Sequence, residues 1–240
     1  MSQDHPESKA PSRSRSALQA VRSHVRPGSF ALLLLSTGIV YVINGLAIDS
    51  ATGSALVQLG RLAVTLAGLY VLSANRLALR LGLPIAVLAF TFQVGLWPVD
   101  PRVGRVLLDS ITVAFVAWVL IAVLRDVFRP TTSERDAVVG ALCGFMLILA
   151  AFTRLHGLFE AWSPGSYHAD DPPLSQRSDA ALLATFQYFS TITITTVGFG
   201  DIVPVTPGAR IATGLEAISG QLYLAIVIAT LVGRVVARAP

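Results

Sequence analysis

The 240-residue sequence predicts an all-α membrane protein with six transmembrane helices and one re-entrant segment. Composition is the first reason. Apolar residues make up 53% and charged residues 13%, about half the charged share of roughly 25% in soluble globular proteins. So few charges cannot cover a soluble globule. The second reason is run length: several apolar stretches reach the ~20 residues that a helix needs to cross a ~30 Å hydrocarbon core. The third is one helix-length stretch that is too short and too mixed in polarity to span. A disulfide scaffold is excluded because Cys143 is the single cysteine.

Residues 1–28 are rich in Ser, Arg and Pro, have no apolar periodicity and read as a disordered tail. The long apolar run that follows does not fit a cleavable signal peptide. Five spans then occupy 29–48, 56–74, 81–98, 106–124 and 137–155, and a sixth occupies 207–236, interrupted by Glu216 and Gln221. Residues 160–178 are polar and carry three prolines. Residues 179–194 form the short helix, which ends in a cluster of Thr and Gly and suits a re-entrant position. The expected division is a tail (1–28), a four-helix membrane domain (29–128) and a domain holding the re-entrant segment (129–240).

Loop cations set orientation. With the N-terminus inside, Lys9, Arg13, Arg15, Arg22, Arg26, Arg76, Arg80, Arg125, Arg129, Arg135, Arg234 and Arg238 are cytoplasmic. Arg61, Arg102, Arg105, Arg154, Arg177 and Arg210 remain at or near the outer side. The acidic residues Asp49, Asp100, Glu160, Asp170, Asp171, Asp179 and Asp201 are also outside. Both termini are therefore expected in the cytoplasm, with a multi-pass chain in the plasma (inner) membrane. The outer loop is expected to concentrate cations. The net charge of +4 is a topology signal and implies no nucleic-acid partner.

The chemistry lies in Thr195-Thr196-Val197-Gly198-Phe199-Gly200-Asp201. Two glycines at alternate positions permit φ > 0. Non-helical backbone at membrane depth is tolerated where it is buried in protein or lines a water-filled cavity. Carbonyls turned to one side of such a strand are hard oxygen ligands for a cation. This run resembles the selectivity filter of the potassium channel superfamily, T-V-G-Y-G in its usual form, with Phe199 in place of Tyr. The resemblance extends over 137–236 and points to the six-transmembrane, one-pore-loop type.

The resemblance implies that the carbonyls of Thr196, Val197, Gly198 and Phe199, with the Thr196 hydroxyl, hold dehydrated K+. It assigns filter support to Thr195, Gly200, Asp201 and Tyr188, with Tyr188 bonding Asp201 behind the filter. Phe186-Gln187-Tyr188-Phe189-Ser190 looks like the aromatic cuff of a pore helix, and Ile192 stands where some relatives carry Glu. Gly220 matches the inner-helix gating hinge, with a small-residue helix contact as the alternative. One chain supplies one filter strand and a ring needs four, so a homotetramer in lipid is implied. The permeant ion is K+, no cofactor is implied, and the chain is expected not to be an enzyme.

The fourth span has no basic residue between Arg105 and Arg125. Strong voltage sensing needs about 3–4 charges per subunit moving through the field, so weak or no voltage dependence is expected. Arg61 and Asp109 lie at depths matched to about 3 Å and are expected to pair. Glu216 reads as a structural hydrogen-bond acceptor or a protonatable gating modulator. His156 and His168 read as solvated histidines or external pH sensors, and Asn44 and Gln93 as interhelical hydrogen-bond formers. Four residues follow Val236, so no fused ligand-binding domain is expected. The competing functions are a non-selective cation channel and a secondary cation transporter, although a transporter is expected to carry a second broken helix.

Overall fold

The computed structural model describes residues 29–46, 51–129, 132–169 and 173–238. The N-terminal tail, Asp49, Asp170 and Asp171 lie outside the described residues. Seven α-helices are described: α1 (Ser29–Gly45), α2 (Ala51–Leu72), α3 (Arg76–Gln93), α4 (Pro101–Val127), α5 (Glu134–Trp162), α6 (Asp179–Ile194) and α7 (Pro207–Arg238). Among the described residues, α2, α3, α4 and α5 contain stretches long and apolar enough to cross a membrane. α1 is a shorter apolar helix of 17 residues.

The helices start where polar side chains satisfy their free amides. Asn75 accepts from the Leu77 and Ala78 amides. Asp100 accepts from Arg102 and Val103, with Pro101 opening α4. Ser133 caps α5 ahead of Glu134 and Asp136, and Ser178 caps α6 ahead of Asp179. Both place acidic residues at the positive end of the helix dipole. These polar first turns lie upstream of the apolar runs, which is why α3, α4 and α5 begin three to five residues earlier than hydropathy alone suggests.

α4 and α5 run antiparallel and share the broadest helix contact of the molecule. Phe30 and Leu33 of α1, Val71 and Leu72 of α2, Ala86 of α3, Val119 and Val123 of α4, and Cys143 and Leu147 of α5 form one buried cluster. α7 shows the helical period plainly. Ala209, Ala212, Glu216, Gly220, Tyr223 and Val227 are buried. Ile211, Leu215, Ile218, Leu222 and Ile226 are exposed on another face. An apolar stripe of this kind is one that water would not leave bare.

The all-α expectation needs one correction. β1 (Tyr167–Ala169) and β2 (Ile202–Pro204) form a small antiparallel ribbon, with Tyr167 opposite Pro204, His168 opposite Val203 and Ala169 opposite Ile202. It ties the proline-bearing loop after α5 to the strand that follows the Gly-rich segment. Tyr167, Ala169 and Ile202 turn inward onto Leu174, Phe186, Phe189 and Ala209.

Candidate functional site

The Gly-rich segment leaves α6 in a fixed way. Thr195 ends the helix with φ −88° and ψ 0°. The Val197 and Gly198 amides both donate to the Ile192 carbonyl, at 2.8 and 3.1 Å. Beyond this, φ is positive at alternate residues: 60° at Thr196, 55° at Gly198 and 81° at Gly200. Glycine adopts this conformation freely, whereas a β-branched residue does so at a cost of about 1–2 kcal/mol. Among the described residues Thr196 is the one non-glycine held there. A non-glycine residue held there marks a candidate functional position. Residues 195–201 are all exposed, with Val197 at 54% and Phe199 at 71%.

Three elements brace α6 from behind. From α1, the Tyr41 and Thr191 hydroxyls are hydrogen-bonded at 3.0 Å. Gln187 donates to the Tyr41 carbonyl at 2.8 Å, and Asn44 donates to Gln187 at 3.3 Å. From α5 and α7, His156 Nε2 lies 2.8 Å from Glu216 Oε2, with both side chains fully buried. The other ring nitrogen, Nδ1, lies 2.6 Å from the Tyr167 hydroxyl. Burial pushes the Tyr167 phenol above its ordinary range, and in the tautomer where its hydroxyl donates to Nδ1, Nε2–H donates to Glu216. Ser190 of α6 faces this carboxylate. Its Oγ and Glu216 Oε1 are both buried with no better partner among the described residues. Phe186 and Phe189 pack their rings against His156.

The candidate filter support is also placed. The Tyr188 and Asp201 side chains face each other. Ile194, the last residue of α6, is pressed against Gly220. A Cβ at Gly220 would come 2.6 Å from the Ile194 carbonyl oxygen, which is backbone and cannot swing aside. The structure therefore gives Gly220 a close-contact role, and α7 runs through it without a break. Gly220→Ala should cost about 1–3 kcal/mol by overpacking. A thermal unfolding midpoint in detergent equal to that of the wild type would show that the contact yields.

Several sequence expectations change partners. The direct ion pair of Asp109 is with Arg154 of α5, at 3.0 Å, and not with Arg61. Depth along two helices matches many residues, and the rotation of each helix decides which of them meet. Arg61 contributes its charge nearby, but its Nε is buried without a hydrogen bond. His156 is no solvated histidine, since it is 0% exposed and serves as the link between α5 and Glu216. His168 is exposed on β1. Asn44 bonds across to α6, and Gln93 donates to the Gln58 carbonyl of α2 at 3.2 Å.

Acidic residues at the α5 and α6 ends are also engaged. Asp179 pairs with Arg105, and Glu160 accepts from the Gly165 and Tyr167 amides. Arg102 donates to the carbonyls of Ala161 and Trp162 at the end of α5, a favourable place for a cation. Sequence reasoning missed Tyr41, Thr191 and Tyr167. Tyr41 shares its helix with the polar Ser36, Thr37 and Asn44, so its polarity alone carried little signal.

No curated protein and no solved structure matches the chain. Residues 174–237 match the family model described as ion channel. The match takes in α6, the Gly-rich strand, β2 and nearly all of α7, so the segment with alternating positive φ lies within it. The similarity covers 64 of the 240 residues.

Proposed function

We propose that four copies of this chain form a potassium-selective channel, with the carbonyls of Thr196, Val197, Gly198 and Phe199 and the Thr196 hydroxyl as the ion ligands. The observation that carries this reading is the alternation of positive φ at Thr196, Gly198 and Gly200. Such a backbone can present successive carbonyls to one side, where a ring of them replaces the hydration shell of K+. The C-terminal end of α6, with a partial charge of about −0.5, adds attraction for a cation. Residues 195–201 and the apolar face of α7 are exposed in one chain, and a ring of copies would cover them. Thr195, Gly200, Asp201 and Tyr188 hold the strand, and the membrane orientation keeps both termini in the cytoplasm.

Residues 29–128 act as a sensor-like domain with weak or no voltage dependence. Arg102 and Arg105, the basic residues at the filter end of α4, are held by α5 carbonyls and by Asp179. Neither is a free gating charge. Purified protein in planar bilayers should show discrete single-channel steps and a shallow conductance–voltage relation. Smooth, saturable, coupled flux without steps would instead establish a secondary transporter. A curve carrying several gating charges would overturn the sensor assignment.

A further inference from the structure

Gln187 and Thr191 are four residues apart on α6, and Tyr41 and Asn44 are three apart on α1, so each pair shares one helix face. The two faces meet. Gln187 is buried and uses both ends of its amide on α1. Its Nε2 donates to the Tyr41 carbonyl at 2.8 Å, and its Oε1 accepts from Asn44 at 3.3 Å. With the Thr191 hydroxyl donating to the Gln187 carbonyl at 2.7 Å, the Tyr41 hydroxyl is the donor to Thr191 at 3.0 Å. Tyr41 thus grips α6 at two points, by its carbonyl and by its hydroxyl.

The gripped turn is the one that holds the Gly-rich strand. The Thr191 carbonyl accepts from the Thr195 amide at 3.2 Å and from the Thr195 hydroxyl at 2.6 Å. The next carbonyl, that of Ile192, accepts from the Val197 and Gly198 amides. A rotation of the last turns of α6 would therefore carry the base of the strand with it. Thr196 has φ 60°, a conformation that a β-branched residue keeps only while its surroundings over-determine it. We infer that Tyr41 and Asn44 of α1 are positioning residues for the Gly-rich strand, fixing the end of α6 and with it the carbonyl spacing that ion selection needs. The inference rests on the reading of 196–199 as the ion-selecting segment. Neither residue touches an ion; both act through Gln187 and Thr191, and they tie the first four helices to the conduction path.

The experiment pairs hydrogen–deuterium exchange with bilayer recording on the full-length assembled protein. Tyr41→Phe keeps the ring and removes only the hydroxyl. Exchange in peptides covering 192–198 should rise about fivefold, the equilibrium worth of one hydrogen bond, with exchange in α2 and α4 unchanged. The K+/Na+ permeability ratio should fall by a similar factor, and Asn44→Leu should move both readouts the same way. Tyr41→Phe placed on Thr191→Val should add nothing further, because the two hydroxyls make one bond. Gln93→Leu removes an interhelical bond that α6 does not share and should leave both readouts at wild type. Unchanged exchange at 192–198 in Tyr41→Phe overturns the inference. So does a rise spread equally over all helices, and so does a loosened strand with an unaltered ratio. Exchange is read without current, so a wild type that fails to select K+ defeats the channel reading alone, and exchange still decides whether α1 positions the strand. If Tyr41→Phe does not assemble, Thr191→Val takes the acceptor from the other helix and decides by the same readouts.

Discussion

Gly198→Asp should abolish single-channel current while leaving the protein assembled. Gly198 has φ +55°, so any side chain there pays the left-handed penalty of about 1–2 kcal/mol. An ideal Cβ at this position nonetheless meets nothing within 4 Å of its own chain. The fold of one subunit therefore has room for the substitution. In the proposed ring, four such carboxylates would stand beside the ion path and the strand could no longer keep its carbonyl spacing. Bilayer recording and native-gel size together check this. Current of wild-type amplitude would show that the strand is not the conduction path, whereas a collapse to monomer would place Gly198 in assembly rather than conduction.

His156→Ala should be among the most destabilising single changes in the chain, by about 3–5 kcal/mol. The substitution takes away the imidazole that donates to Glu216 and leaves the carboxylate buried between α5, α6 and α7. It also removes the imidazole partner of the Tyr167 hydroxyl and opens a gap against Phe186 and Phe189. Glu216→Gln should cost less, because an amide keeps the shape and an acceptor for Nε2–H. Replacing both residues with leucine should recover part of the loss, as apolar replacements of buried pairs often do. Thermal unfolding of the wild type, His156→Leu, Glu216→Leu and the double leucine variant in one detergent gives the coupling energy. Simple additivity of the singles would show that the pair does not act as a unit.

Residues whose role is set by near neighbours were legible in the sequence. The bounds of α6 follow from Ser178 and Asp179 at one end and the Thr–Gly cluster at the other, and the structure keeps 179–194 unchanged. The alternating glycines announced backbone freedom, and positive φ occurs at both of them. Contacts set by helix rotation were not legible. His156 and Glu216 are sixty residues apart, and neither run shows which way its polar side chain turns. The same ignorance paired Arg61 with Asp109 when Arg154 was the nearer partner. The β1–β2 ribbon escaped because a three-residue strand has too few positions to show a period of two. Tyr41 acquires its role only because α1 lies against α6, which its own neighbours in sequence do not show.

The central claim is that the strand from Thr196 to Phe199 selects dehydrated K+ by its carbonyls. The most direct measurement is the reversal potential of the reconstituted wild-type channel with K+ on one side of the membrane and Na+ on the other. A reversal potential strongly displaced in the direction that K+ diffusion dictates is the expected result. A reversal near zero would contradict the claim and leave a non-selective cation pore.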